Sequence, residues 1–535
     1  MEKDKSLSEL IRYYRVYVKH MTQDEFGKYT GYATRTIQSW ELGEKIPGIR
    51  SLRDILDDED LLTKALLLRD ELQCAKLKPS NNIEIIDAID VEKEPIKKSL
   101  PQLLSYHSKI KHLNATNGFK DYRKTCGFDK DYNPNIYASK VIGKNTYYPI
   151  KGGANVFSHS LVIGGPGSGK NFHYIEPNLK HNNGKNFLMF GYGEVNELQE
   201  LLPDYDITCF DTTDFNRSCS YNPFEYIEDR KDLIIAINAF YNAHIDRTNN
   251  TETDPFYSIA KKNFLYALFE YVKEMYPKED QNLNILYEMF SAAKCYENHQ
   301  EYFDTIFKEL ENKDSTSIAV SFYRTYKKSS PKTSLSIIIS ASVMFWSMDI
   351  PNIKEKISTD ELCLNELYTK KNKMVYVKMS PVDNSFDFFA AMILAQFQYS
   401  TVKEKRLKGI FNNDDIWVEV ILNEFYNIRF DIDILVQALP VARKYNVSYD
   451  IIIQSINQLN AICDEHAEYI IGCCDIIIFQ QTMDINNLEQ LKSIIQWQKI
   501  NQYEKLYTDV LTDNKNYDKQ VVCIRTATPM IVEKP

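Results

Sequence analysis

At 535 residues the chain is long enough for several domains, so no single fold has to account for all of it. Its composition, 44% hydrophobic and 26% charged, excludes collagen-like, low-complexity and wholly disordered chains. The 64 Lys and Arg against 74 Asp and Glu leave a net charge of −10, which excludes a uniformly basic nucleic-acid coat and confines any DNA contact to a local surface.

Residues 6 to about 75 read as short amphipathic helices broken at Thr22 and Gly31. Beyond them, 76–140 is polar and of mixed charge, with Pro79, Pro95 and Pro101 interrupting any long helix, and is expected to be a connector. From about Ser158 brief apolar runs alternate with helical stretches: LVIGG at 161, NFLMF at 186, DITCFD at 206, KMVYVKM at 373, IWVEVIL at 416, YDIIIQ at 449, DIIIFQ at 475 and VVCIRT at 521. Strand-like runs separated by helices predict a mostly parallel sheet in an α/β domain. Because 229–365 holds no comparable run and is rich in aromatics, it is expected to be an all-helical insertion that divides the sheet domain into 141–228 and 366–535.

The ten cysteines are scattered without a CxxC pair, so neither a disulfide framework nor a zinc ribbon is indicated, and a reducing cytoplasm fits. The charged start, MEKDKSLSEL, lacks the apolar stretch of a signal peptide. Ser334–Met348 and Tyr469–Phe479 are too short or too interrupted to cross about 30 Å of hydrocarbon. The expectation is a cytoplasmic protein with no membrane insertion of its own.

The most specific local signal is Gly164-Gly165-Pro166-Gly167-Ser168-Gly169-Lys170-Asn171, directly after an apolar strand. This is the Walker A spacing: glycines let backbone N–H groups face phosphate oxygens, and Lys170 brings positive charge to the terminal phosphates. The plainer reading is a structural strand-to-helix turn. Asn171 departs from the pattern, since a Ser or Thr hydroxyl there ligates magnesium and an amide oxygen is a poorer substitute in a tight octahedral shell. ATP with a weakened Mg2+ site is therefore the expected cofactor set.

A partner strand ending in acids is best matched by Trp417–Phe425. Such a strand normally ends in Asp, which supports magnesium, and Glu, which polarises the attacking water. Here Asn423 takes the magnesium position and Glu424 remains; the plainer reading is a buried strand with a surface acid at its end. Gln454 ends the next apolar run, where it either faces a γ-phosphate or simply terminates a strand.

Taken together, GGPGSGKN with Pro177-Asn178-Leu179, Tyr221-Asn222-Pro223-Phe224, Asp254-Pro255-Phe256-Tyr257, Pro331-Lys332-Thr333, Leu422-Asn423-Glu424-Phe425 and Gln454–Leu459 resemble the type IV coupling proteins, the TraG/TraD-like conjugative DNA-transfer ATPases. The likeness runs from about 140 to 530. It implies a RecA-like P-loop NTPase domain with an inserted all-helical domain, and a hexameric assembly that moves single-stranded DNA and protein substrates into a secretion channel. It also implies phosphate binding by 164–171, water activation by Glu424, nucleotide sensing by Gln454 and an arginine finger, Arg443, acting across a subunit boundary. Arg443 reads equally as a surface helix residue. A relaxase and membrane secretion-channel proteins are the further partners it implies. Three features depart from the family: Asn171 and Asn423 at the magnesium site, Phe190-Gly-Tyr-Gly-Glu194 where Asp-Pro-Lys-Gly-Glu is expected, and a missing N-terminal anchor.

Residues 21–47 look like a Cro/repressor-type helix-turn-helix, a small all-α domain preceding the α/β domain. On that likeness Thr22 caps the first helix, Gly31 makes the turn, Ile37 and Trp40 pack inward, and Gln23, Thr34, Arg35 and Gln38 meet duplex DNA. A helical hairpin for protein contacts is the plainer alternative, and nine Lys and Arg against seven Asp and Glu in 1–50 give only about +2. The reading is thus a coupling-protein-like P-loop ATPase that binds ATP and DNA and drives or assists conjugative transfer. Its alternative is a non-catalytic DNA-binding regulator or adaptor with a degenerate P-loop domain.

Overall fold

The computed structural model describes residues 11–42 except 13, residues 52, 55 and 56, and 139–535 except 145, 150–158, 183, 246–254, 295–298, 409–415, 429–431, 464–465, 498–503 and 526–528. It comprises two units, Met1–Lys97 and Lys98–Pro535. The expected connector lies outside the described residues up to 138.

In the first unit, helices Gln23–Thr30 and Thr34–Glu41 follow one another across Gly31. Thr22 and Glu25 form a reciprocal capping box at the first helix, and Gly31 ends it at φ 76°, a left-handed conformation that costs glycine little. Ile11, Tyr14, Phe26, Ile37, Trp40, Leu52, Ile55 and Leu56 form the small core. The Arg15 guanidinium forks onto Glu41, with Nε donating to Oε1 at 2.5 Å and Nη2 to Oε2 at 3.0 Å.

The second unit is built on a sheet of nine strands in the order β11-β10-β9-β3-β8-β7-β4-β6-β5. These are β3 Ser160–Ile163, β4 Asn186–Gly191, β5 Asp206–Asp211, β6 Lys373–Lys378, β7 Val418–Leu422, β8 Val447–Ile453, β9 Ile476–Phe479, β10 Lys519–Ile524 and β11 Met530–Glu533. All pairings from β9 to β5 are parallel; β10 and β11 are antiparallel. All eight apolar runs form strands. The hairpin of β1 Ser139–Gly143 and β2 Thr146–Pro149, and the edge strand β11, carry too little apolar pattern to have been expected.

Alternation along the pleat divides the apolar residues between two faces. Leu161, Ile163, Leu188, Phe190, Ile451 and Ile453 join the core under helices Arg230–Ala243, Asp387–Lys408 and Ile432–Ala442. Val162, Phe187, Met189, Ile421 and Ile452 join the opposite core, with Tyr174, Ile175, Leu179 and Leu198. Between β5 and β6 the described residues form helices and no strand, among them Pro255–Met275, His299–Lys313, Ile318–Tyr326 and Pro331–Val343, packed by ring contacts such as Phe307 on Tyr323 at 4.0 Å. Tyr221-Asn222-Pro223-Phe224 anchors the entry to this block: the Asn222 side chain accepts from Phe224 N at 3.1 Å and donates to Gln281 O at 2.8 Å.

Four ionisable side chains lie fully buried together, Lys140 on β1, Lys185 just before β4, Glu419 on β7 and Asp450 on β8. Lys140 pairs with Asp450 and, at 3.4 Å, with Glu419, whose other oxygen meets Lys185 at 2.5 Å. Burial alone would raise the Glu419 carboxyl, but Lys185 and Lys140 outweigh it and hold the group low; burial raises Asp450, with Glu419 adding to the rise.

Candidate functional site

The site forms at the carboxyl edge of the parallel strands, where open α/β sheets place ligands. Register fixes its members: Ile163 pairs with Ile453 and Leu422 with Ile451, so the residues following β3, β7 and β8 emerge at the same edge. After β3 the chain turns through Gly164–Lys170, with Gly167 at φ 74° and Gly169 at φ 83°. A side chain at Gly169 would also strike the His173 ring, whose Cδ2 stands 2.4 Å from where a Cβ would sit.

The helix beyond opens as a wide π-helical turn, Asn171–Ile175, and continues as Glu176–Lys180. Pro177 explains the widening. It has no N–H to offer the His173 carbonyl and its ring would crowd that group, so Glu176 N bonds Asn171 O instead. Asn178, on this helix, exchanges hydrogen bonds with both backbone groups of Val141 on β1, at 2.8 and 3.0 Å.

Lys170 is buried and folded back on its own loop, its Nζ donating to Gly164 O at 2.8 Å and Gly165 O at 3.3 Å. Glu424 lies 3.6 Å from the same ammonium. Burial lowers the Lys170 pKa, and Glu424 opposes that shift. Glu424 follows β7 in a left-handed conformation, φ 53°, uncommon outside glycine and of the kind held in place at functional sites. Its second oxygen accepts from Gln454 Nε2 at 2.9 Å.

Asn423 and Asn171 also meet: Asn423 Nδ2 donates to Asn171 Oδ1 at 3.2 Å. Asn423 Oδ1 is buried without a hydrogen-bond partner among the described residues, an acceptor with its lone pairs unused. Amide oxygens are competent ligands for a hard cation, so the pair fits magnesium, with less negative charge than a carboxylate would bring. Among the described residues no group of three or more His, Cys, Asp or Glu is gathered to hold a metal.

Lys170, Asn171, Asn423, Glu424 and Gln454 thus converge. Arg443 does not join them in this chain: it lies in the short 3-10 turn Arg443–Tyr445 before β8, whose seven residues set it about 23 Å along the strand from Gln454. In the glycine-rich stretch after β4, Glu194 pairs with Lys378 at 2.9 Å. In the first unit Arg35 and Gln38 are exposed, Thr34 is half-buried, and Gln23 Nε2 donates to Glu41 Oε2 at 2.7 Å.

Sequence reasoning missed the flank of the loop contributed by the last strands. Lys534 Nζ donates to Ser168 O at 3.0 Å, Tyr517 OH reaches Gly167 O at 3.4 Å, and the His173 ring meets Pro535 O at 3.2 Å. No motif marks these residues; only the antiparallel return of β10 and β11 brings them there. Among the described residues no helix is long and apolar enough to cross a membrane.

In fold the chain is similar to the plasmid coupling protein TrwB. Against the TrwB complex with ADP and Mg2+ the TM-score is 0.51 at 13% identity, covering 74% of this chain and 89% of that one. Against the unbound monoclinic form of TrwBdeltaN70 it is 0.52 at 12% identity, covering 80% and 91%. The complex with the ATP analogue ADPNP gives 0.52 at 12% identity, covering 74% and 89%. At such identities the likeness is one of fold. No curated protein matches the sequence. The profile of the family described as type IV secretory system conjugative DNA transfer matches residues 119–495, well over half of the sequence, and the chain belongs to that family.

Proposed function

We propose that this chain is a P-loop ATPase of conjugative DNA transfer, binding ATP on the 164–171 loop and coupling its turnover to the movement of DNA. The observation that carries this reading is the convergence of Lys170, Glu424 and Gln454 at one edge of the sheet. Membership in the conjugative-transfer family supports it, as do the TrwB structures that hold ADP with Mg2+ or ADPNP.

Backbone N–H groups of the loop receive the phosphates, and Lys170 leaves the Gly164 and Gly165 carbonyls to meet the β- and γ-oxygens. That movement releases Glu424, which Gln454 steadies for accepting a proton from the attacking water. Magnesium, when bound, supplies positive charge on the phosphate oxygens, and Asn171 and Asn423 would hold it through their amide oxygens. Arg443, on the far edge of its own sheet, serves the site of a neighbouring subunit in a homo-oligomer.

The first unit reads as a helix-turn-helix, with Thr34, Arg35 and Gln38 facing duplex DNA; Gln23 reaches it only by exchanging its bond to Glu41. Single-stranded DNA passes through the motor domain, in the cytoplasm, with a relaxase and channel proteins as partners. The neutral Asn171–Asn423 pair favours a second reading, an adaptor that binds nucleotide without turning it over. Phosphate release with and without magnesium and single-stranded DNA, in the unaltered protein, Lys170→Ala and Glu424→Gln, separates them. A motor hydrolyses ATP and loses that activity in both variants. An adaptor binds ATP with no turnover above the variants.

A further inference from the structure

Three aromatic side chains stand beside the loop on the side away from Glu424 and Gln454. Phe172 is 62% exposed, and its ring meets His173 edge-on at 5.0 Å. His173 in turn meets Tyr517 edge-on at 6.0 Å. Tyr517, 46% exposed, precedes β10 and touches the Gly167 carbonyl. Behind it the Lys534 ammonium lies 4.3 Å from the ring centroid and is buried. The rings therefore form a wall fixed from behind and open in front.

Topology gives this wall its place. The groups that meet the terminal phosphate come from β7 and β8, on one side of β3. Phosphates seated on the 164–171 loop then run away from that side, toward β9, β10 and β11. β10 is antiparallel to β9, and Lys519 pairs with Glu533, so Tyr517 and Lys534 flank the strand ends that lie at the same edge as the loop. A ligand held at Lys170 that extends toward β9, β10 and β11 would reach the edge at which Tyr517 stands.

We propose that the nucleoside of a bound nucleotide rests on this wall, its base stacked on Tyr517 and Phe172. The inference rests on the phosphate-binding reading above and adds a second subsite to it. Base–aromatic stacking tolerates any base because every base has a π face, and alanine substitution of such a ring typically weakens binding several-fold to a hundredfold.

The test is equilibrium titration of the full chain with ATP and with inorganic tripolyphosphate, which carries the phosphate chain and no base. Tyr517→Ala is expected to weaken ATP about tenfold, with tripolyphosphate changed less than about twofold. Phe172→Ala, at an exposed position, should act in the same direction, whereas Tyr517→Phe keeps the ring and should keep ATP affinity. Unchanged ATP affinity in both alanine variants overturns the inference, as does equal weakening of ATP and tripolyphosphate, which would make the rings supports of the loop alone. If the unaltered chain binds both ligands equally, the phosphate reading stands and this one falls; if it binds neither, both fall.

Discussion

Asn423 donates its side-chain amide to the Asn171 carbonyl oxygen at 3.2 Å, so the two positions proposed to hold magnesium are joined by a neutral pair. Their coupling is direct, and substitutions there should not act independently. We expect Asn171→Thr with Asn423→Asp to raise steady-state phosphate release by on the order of 10- to 100-fold, the range by which groups around a metal alter its binding or activity. Each single change should give less than half of that gain on a logarithmic scale. A fast magnesium-dependent rate in the unaltered protein, indifferent to the double change, would refute the expectation.

Glu424 and Gln454 make a separable prediction. Glu424→Gln should leave ATP affinity within a few-fold while lowering turnover on the order of 10² to 10⁴-fold, the usual contribution of a positioned base. Gln454→Ala frees the carboxylate and should lower turnover less. Single-turnover kinetics beside a binding isotherm checks both, and a matched loss of affinity in Glu424→Gln would count against the base.

Buried charge supplies a stability prediction. Glu419 is enclosed by Lys140 and Lys185, at 3.4 and 2.5 Å, and all three side chains are fully buried. Removing the carboxylate in Glu419→Gln takes the buried counter-charge from Lys185 and leaves Lys140 with Asp450, and should destabilise the fold by about 3 to 5 kcal/mol. Denaturant unfolding reads this directly, and a change under about 1 kcal/mol would show that the network is replaceable by neutral groups.

Burial lowers the pKa of Lys534 to about 8, with Asp518 opposing the shift. An unfolded lysine titrates near 10.4, so between about pH 8 and 10 the unfolded chain binds more protons and stability contributed at this position rises with pH. Below pH 8 both states are charged and the cost of burying the ammonium is present in full. The unaltered protein should therefore gain thermal stability relative to Lys534→Met as pH rises from 8 to 10. Parallel melting curves across that window would remove Lys534 as the titrating group.

In the first unit Arg35 is exposed on the second helix, while Ile37 and Trp40 of the same helix are buried. Arg35→Ala in the full chain should lower discrimination at one base pair by about 1 to 3 kcal/mol. Competition binding with single-base variants of a selected duplex is the measurement. No duplex binding at low salt would turn this surface over to protein contacts.

Much of the sheet was legible because central parallel strands are buried on both faces and read as short apolar runs; Leu161–Ile163 and Ile451–Ile453 are examples. Lys170, Glu424 and Gln454 were legible because each follows such a run. Less visible were Lys140, Lys185, Glu419 and Asp450, since a charge within or beside an apolar run reads as a surface residue until its partner on another strand is known. Tyr517 and Lys534 carried no local signal at all. They reach the loop through two antiparallel strand pairings, which no periodicity within either segment encodes.

The wide turn at Asn171–Ile175 sets a phase. Each residue of an α-helix advances about 100° around the axis, so the extra residue accommodated ahead of Pro177 rotates everything beyond it by about that amount relative to Lys170. In this setting Asn178 faces Val141, and its paired hydrogen bonds to that residue hold the rotation. The hairpin of β1 and β2 therefore works as a key, fixing from outside the loop which way the residues after Lys170 are turned.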